Sequence, residues 1–326
     1  MGAYLTVPKR EKLSEDGENS KLRYGATSMQ GWRTTMEDSH IAILDLGNGV
    51  SFFGVYDGHG GNIYFFTIYF SGNEVADFVR DHLVEELKKL TSFKQGDYEQ
   101  CLKDIYLKID EMIQTPAGKS KLYTYQKNAD KTAGLFGSQS DDIGHAAGCT
   151  ACSAIITPTE IIIGNAGDSR SVLAVKKGDK NLAIDMSVDH KPDLPEEKLR
   201  IEKAGGFVED NRVKGVLNLS RSLGDLEYKS DPSLALKDQM ITAMPEIRKQ
   251  KIVQNETNFL IIACDGIWDC LSSQGAVDSI AQLIQKKAKL SSVVEDIFDS
   301  IIATDVASSG GIGCDNMTCV IIQFKY

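Results

Sequence analysis

The 326-residue sequence predicts an α+β fold built as a layered sandwich, and three observations carry the prediction. Segments with strand character outnumber helical ones. The strand runs follow one another in hairpin-like groups, and the helices stand apart from them in pairs; a doubly wound parallel sheet would instead alternate strand with helix along the chain.

Strands are expected near Leu22–Met29, Ser39–Asp45, Val50–Tyr56, Cys149–Thr157, Glu160–Ala166, Ser169–Lys176, Phe259–Cys264 and Met317–Phe324, where short alternating or continuous apolar runs are rich in β-branched and aromatic residues. Helical periodicity marks Glu74–Leu90, Tyr98–Gln114, Pro195–Ala204, Ser273–Lys287 and Ser291–Val306. The third of these opens on proline and is followed by Gly205 and Gly206, the ordinary start and stop of a helix. Lys127–Ile143, rich in Gly, Ser and Asp, and Lys229–Gln239 around Asp231-Pro232 read as loops. With no internal repeat and no linker, one domain is expected over residues 1–326, its core running from about residue 22 to 326. Residues 185–239, with a short helix and glycine-spaced segments, are expected to form a small lobe over a site.

Apolar residues make up 42% of the chain, enough for one large core. The formal charge of −10, from 36 basic and 46 acidic residues, argues against a nucleic-acid partner, which needs a clustered basic face to displace counterions. Excess acid suits a divalent-cation site but is also the usual balance of soluble proteins, so it decides nothing until the acids are placed. Seven cysteines cannot all pair, and no signal-peptide pattern opens the sequence, so a reducing compartment, cytoplasm or nucleus, is expected. Cys149 and Cys152 form a C-x-x-C, but a strand-like run follows, which favours two core cysteines over a redox pair or a zinc site. Met1–Thr6 fits the pattern for N-myristoylation at Gly2, with Lys9, Arg10 and Lys12 nearby; a single acyl chain gives at most reversible membrane contact.

The acids stand at strand ends. Gly54-Val55-Tyr56 leads into Asp57-Gly58-His59-Gly60-Gly61, and Leu260–Cys264 leads into Asp265-Gly266-Ile267-Trp268-Asp269. Glu37-Asp38 and Asp315-Asn316 precede strands instead. If those later strands run antiparallel to the first two, all four motifs gather at one edge of the sheets, where Asp168 in the turn Gly164–Asp168 can join them. Two like charges 4 Å apart at an effective dielectric of about 20 repel by roughly 4 kcal/mol, so such a cluster calls for a cation. Oxygen donors select hard ions such as Mg²⁺ and Mn²⁺. Any single Asp-Gly is ordinarily only a turn; the set is what points to a metal.

The ordered set Tyr24-Gly25, Gln30-Gly31-Trp32-Arg33-x-x-Met36-Glu37-Asp38, Asp57-Gly58-His59-Gly60-Gly61, Gly167-Asp168-Ser169-Arg170, Ser220-Arg221-Ser222-Leu223-Gly224-Asp225, Asp265–Asp269 and Asp315-Asn316-Met317 resembles the protein phosphatase 2C (PPM) family over nearly the whole chain from Leu22. The resemblance implies a central β-sandwich of two antiparallel sheets flanked by helices on both faces, a four-layer αββα arrangement with a binuclear metal site at one end. It implies hydrolysis of phosphoserine and phosphothreonine in proteins by a water bridging two Mg²⁺ or Mn²⁺ ions. Asp57 would bridge the two ions, Asp265 and Asp315 would complete one coordination sphere, and Glu37 with the Gly58 carbonyl would hold the other. Asp38 would orient the metal-bound water, and Asp168 and Asp269 match positions that bind a weaker third ion in some members. Arg33 would present its fork to phosphate oxygens, and His59 would give a proton to the leaving alkoxide. The expected partners are phosphorylated proteins, and the chain is expected to act as a monomer.

Cysteine-nucleophile chemistry is disfavoured because no cysteine has an arginine six residues on, and a kinase reading lacks both a glycine-rich phosphate loop and an H-R-D loop. The alternative is a catalytically inactive phosphatase-like module that binds phosphoproteins; the complete carboxylate set argues against it. One feature departs from the family. Residues Asn62–Gly72 intervene where the glycines after Asp57-Gly58-His59 normally lead almost directly into a helix. A retained intron and a lineage-specific insertion both account for this apolar, β-prone segment.

Overall fold

The computed structural model describes residues 4–60, 72–125 and 143–326; Gly2, residues 62–71 of the insertion and all but the last residue of the first expected loop lie outside them. In chain order the strands are β1 (Tyr4–Glu18), β2 (Leu22–Arg33), β3 (Asp38–Ile43), β4 (Ser51–Gly60), β5 (Ala147–Cys149), β6 (Ala151–Ile156), β7 (Glu160–Ala166), β8 (Arg170–Lys177), β9 (Lys180–Asp185), β10 (Val208–Glu209), β11 (Arg212–Val213), β12 (Leu223–Gly224), β13 (Glu246–Lys251), β14 (Thr257–Ala263) and β15 (Met317–Phe324). One six-stranded sheet runs β1-β2-β15-β14-β8-β9; a seven-stranded sheet runs β12-β5-β4-β6-β7-β13 with β3 also on β4. Every pairing in both sheets is antiparallel.

The inner faces meet through Phe53, Val55, Ile161, Ile163, Leu260, Ile262, Val320 and Ile322, all buried. Because helices cover the outer faces as well, the central strands are apolar on both sides and read as continuous runs such as Phe259–Ala263. On one outer face lie α1 (Asn73–Lys89), α2 (Thr91–Gln95), α3 (Tyr98–Gln114), α4 (Pro116–Tyr125) and the single turn α5 (Ile143–Ala146). Helix α3 turns Leu102, Ile105, Tyr106, Ile109 and Ile113 inward at helical spacing, and Asp97 caps it by accepting from the Gln100 N–H. After α6 (Pro195–Lys203) and the turn α7 (Asp265–Trp268), the other outer face is covered by α8 (Ser273–Ile284) and α9 (Leu290–Ile301), the latter through Val293, Val294, Ile297 and Phe298. The result is the αββα sandwich.

Some boundaries differ from the sequence reading. The helix expected over Ser291–Val306 stops at Ile301, and a turn separates it from α10 (Val306–Ser309). The basic residues near the start belong to β1, a long edge strand: Lys12 Nζ lies 2.8 Å from Asp299, and Lys9 donates to Gln30 Oε1. Between β9 and β13 the chain makes an excursion carrying α6 and the β10–β11 hairpin, with a small apolar cluster of Ile201, Val213, Tyr228, Met240 and Ile241. Its loop forms β12, the strand that pairs with β5.

Candidate metal centre and active site

The antiparallel order brings the acidic motifs to one end of the sandwich. Asp38, first in β3, sits directly opposite Asp57 in β4. Strand β14 delivers Asp265 from its C-terminal end, and its antiparallel neighbour β15 begins two residues after Asp315. Ligand atoms of Asp38, Asp57 and Cys264 lie within 4.8 Å of one another. Asn316 ties the motifs together: its Oδ1 accepts from the Glu37 N–H at 2.8 Å, while its Nδ2 donates to the carbonyls of Gln30 and Thr35 at 2.8 and 3.0 Å. Gly58 must be glycine, because a Cβ there would stand 2.5 Å from the Gly72 carbonyl oxygen and 2.6 Å from that of Glu37. Thr150 fixes Asp57 from the other side, its hydroxyl accepting from the Asp57 N–H at 3.0 Å and its own N–H donating to the Asp57 carbonyl at 2.8 Å.

Crowding governs the electrostatics. Burial, then repulsion from Asp38, Asp265, Asp315 and Asp168, pushes the Asp57 carboxyl well above its ordinary range. Burial, then Asp168, Asp315 and Asp269, does the same to Asp265. Glu37 is raised to about 7 and Asp38 to about 6, both chiefly by desolvation. Asp269, an exposed residue one turn beyond Asp265, is raised more modestly, first by burial of its carboxyl surroundings and then by Asp168 and Asp315, with Lys191 opposing. These carboxylates act on one another and thus form one cluster.

A divalent cation fits this donor set. Asp38 Oδ1 is buried with no hydrogen-bond partner among the described residues, an acceptor left without a proton to accept. The remaining donors are carboxylate oxygens, the chemistry of hard ions. Cys264 stands among them as a protonated thiol: burial and the neighbouring acids push its pKa well up, and its Sγ donates to Asp38 Oδ2 at 3.2 Å. It therefore steadies Asp38 and leaves cation binding to the oxygens.

The other candidates are distributed around this centre. Arg33 pairs through Nη2 with Asp315 Oδ2 at 2.5 Å, and its buried Nε has no partner among the described residues. Burial works against its charge, but Asp315, Glu37 and Asp57 outweigh burial and hold the guanidinium more firmly protonated than usual. Asp168 is met by Lys191 Nζ at 2.5 Å, an ammonium at the place where the resemblance implies a third ion. His59 is 22% exposed in its side chain and binds Asp225 Oδ2 through Nε2 at 2.7 Å. Arg170 serves the scaffold: it forks onto Asp189 through Nε and Nη2 at 2.9 and 2.6 Å and lies over the Trp268 ring. Cys149 and Cys152 are free and buried, as core cysteines should be. The sequence reading gave no role to Asn316, Cys264, Lys191 or Asp225. The first and last stood inside quoted motifs, but their partners are distant in sequence, and only the fold reveals them.

Residues 22–310 match the family model described as Protein phosphatase 2C. Among similar proteins, Probable protein phosphatase 2C 21 of Arabidopsis thaliana is 43% identical, the alignment covering all of this chain and 93% of that protein. Probable protein phosphatase 2C 4 of Paramecium tetraurelia is 44% identical over all of this chain and 99% of its own length. A solved structure of serine-threonine phosphatase 2C from Toxoplasma gondii superposes with a TM-score of 0.70 over 99% of both chains; at 21% identity that likeness speaks for the fold.

Proposed function

We propose, because this chain belongs to the protein phosphatase 2C family and is a protein phosphatase, that it hydrolyses phosphoserine and phosphothreonine in proteins using two Mg²⁺ or Mn²⁺ ions held by its acidic cluster. The observation that carries the reading is the convergence of Asp38, Asp57, Asp265 and Asp315, from four separate places in the sequence, at one end of the sandwich. Asp57, Asp265, Asp315, Glu37 and the Gly58 carbonyl are the groups that would hold the pair of ions, with Asp168 and Asp269 available to a weaker third. Bound there, two divalent cations supply an activated water and neutralise charge developing on the phosphoryl oxygens.

The chain's own residues do the rest. Asp38, with one buried oxygen unpartnered among the described residues and the other fixed by Cys264, is placed to accept a hydrogen bond from the attacking water and set its direction. Arg33 offers a planar fork to the phosphate oxygens, and its pairing with Asp315 fixes where that fork points. His59 protonates the departing serine or threonine oxygen, which leaves poorly as an alkoxide. The test is release of inorganic phosphate from a phosphothreonine peptide: activity is expected to vanish in chelator and to return with Mn²⁺ or Mg²⁺, and turnover unaffected by chelator would overturn the reading. For location we propose the cytoplasm or nucleus, with reversible membrane contact through an acyl chain on Gly2; the Met1–Thr6 pattern supports it, and the mass of the N-terminal peptide tests it.

A further inference from the structure

We infer that Asp225 is a positioning residue for His59: it holds the imidazole by Nε2 so that the proton offered to the leaving oxygen is the one on Nδ1. The inference rests on the acid role proposed for His59. Asp225 closes the motif Ser220–Asp225, yet it lies 166 residues from His59 in the chain and meets it at 2.7 Å. Three features show that the fold is arranged around this contact. Asp225 adopts φ +49°, a left-handed conformation that costs energy for any residue with a Cβ and persists only where the surroundings impose it. Its loop is held from several sides: the Asp225 N–H donates to the Ala147 carbonyl at 2.9 Å, the Gly224 N–H donates to Asp110 Oδ1 at 2.8 Å, and Lys229 Nζ bridges Asp110 Oδ2 and the Ser222 carbonyl at 2.5 and 2.8 Å. Finally, Gly148 lies beneath the pair. A Cβ at Gly148 would collide with the Asp225 carboxylate and stand 2.8 Å from His59 Nε2, so a bare backbone is needed for the two side chains to meet.

Asp225 Oδ2 also accepts from the Ser222 hydroxyl at 2.6 Å, which aims that oxygen and leaves the carboxylate an acceptor for an N–H on Nε2. With Nε2–H committed to Asp225, Nδ1–H is the proton available to substrate. As the phosphorus–oxygen bond to the alcohol breaks, that proton passes to the departing oxygen, the ring is left neutral with Nε2–H still on Asp225, and solvent restores the Nδ1 proton. Asp225 touches no reacting atom. Its effect is to keep the ring from turning and from presenting the wrong nitrogen.

The experiment compares D225N, H59A and the double variant on a phosphothreonine peptide, whose leaving group needs an acid, and on 4-nitrophenyl phosphate, whose leaving group does not. D225N is the near-isosteric choice, and its melting temperature and Mn²⁺ affinity are measured first. The expected result is a fall in kcat of about 10- to 100-fold on the peptide, part of the full general-acid factor, with KM unchanged and less than about a threefold loss on the aryl ester. In the H59A background, D225N should add no further loss on the peptide, because it acts through the missing ring. Equal losses on both esters for D225N, or losses that multiply with those of H59A, would overturn the positioning role while a selective H59A left the acid role standing. Equal losses on both esters for H59A itself would overturn the acid role and this inference with it. Should D225N fail to fold, S222A, which releases only the hydroxyl that aims Asp225, is expected to show the same selectivity in weaker form, and its absence would count against the proposal.

Discussion

Replacing Asp57 by asparagine separates what the residue does for the fold from what it does for the ions. In the metal-free protein the Asp57 carboxyl is pushed well above its ordinary range by burial and by Asp38, Asp265, Asp315 and Asp168, so its charge is costly to hold there. Asparagine is nearly isosteric with aspartate and carries no charge. Ionised Asp57 and Asp38 with oxygens as far apart as 4.8 Å would repel by about 3.5 kcal/mol at an effective dielectric of about 20, and the substitution removes that term at higher pH. The metal-free melting temperature of D57N should therefore equal or exceed that of the unaltered protein. With metal the order reverses. Mn²⁺ at about 100 times its dissociation constant stabilises a binding protein by roughly 2.7 kcal/mol, on the order of 5 °C for a domain of this size, and D57N should lose most of that shift. Turnover of a phosphopeptide should fall at least about 1,000-fold, or roughly 4 kcal/mol of transition-state stabilisation. Scanning calorimetry with and without Mn²⁺, alongside phosphate release, reads all of these. A D57N protein that melts much lower without metal yet keeps its Mn²⁺ shift and its activity would refute the reasoning, because Asp57 would then be a structural carboxylate.

Other consequences follow from the same geometry. Arg33→Ala should raise KM for phosphopeptide by about tenfold with a smaller fall in kcat, since phosphate contacts are largely shared by ground and transition states; an unchanged KM, measured where binding is at equilibrium, would argue against the clamp. Glu37 is raised to about 7 and Asp38 to about 6, so each favours the folded state while protonated and loses that contribution as pH rises from about 4 through its folded value. Metal-free protein should thus lose about 2 kcal/mol from Glu37 between pH 5 and 8, seen as a falling denaturant midpoint that Mn²⁺ reverses, and a rising midpoint would contradict it. Asn316→Ala frees the Glu37 backbone from its tether and should weaken Mn²⁺ binding about tenfold in calorimetric titration while leaving the melting temperature within a few degrees. Deleting Asn62–Gly72 should leave a folded, active enzyme, because Gly72 already packs against the backbone of Gly58 and His59 where the shortened chain would pass; failure to fold would show that the segment is structural.

Much of the molecule was legible in the sequence where burial dictates the residues. Strands covered on both faces, such as β7 and β15, announce themselves by continuous apolar runs, and α3 by its spacing. Charged edges conceal themselves: β1 and β13 carry Lys, Arg and Glu, and β9 carries Lys180 and Asp185, because an exposed edge has to resist pairing with other chains, and that composition weakens the strand signal. Helix α4 buries little beyond Gly118 and Leu122 and so shows no clear stripe. The acids at strand ends could be read once antiparallel pairing was assumed, since Asp38 opposite Asp57 follows from it directly. What could not be read was the support around them. Asn316 under Glu37, Cys264 on Asp38, Lys191 on Asp168 and Asp225 on His59 are contacts between residues far apart in the chain, each depending on where a loop happens to close.

The central claim is that this end of the sandwich holds divalent cations through its carboxylates, and calorimetric titration of Mn²⁺ into chelator-stripped protein tests it most directly. Two ions are predicted to bind per chain to the unaltered protein, with release of protons from the raised carboxyls, and D57N is predicted to bind neither tightly. Absence of tight Mn²⁺ binding, or the same stoichiometry and affinity in D57N, would contradict it.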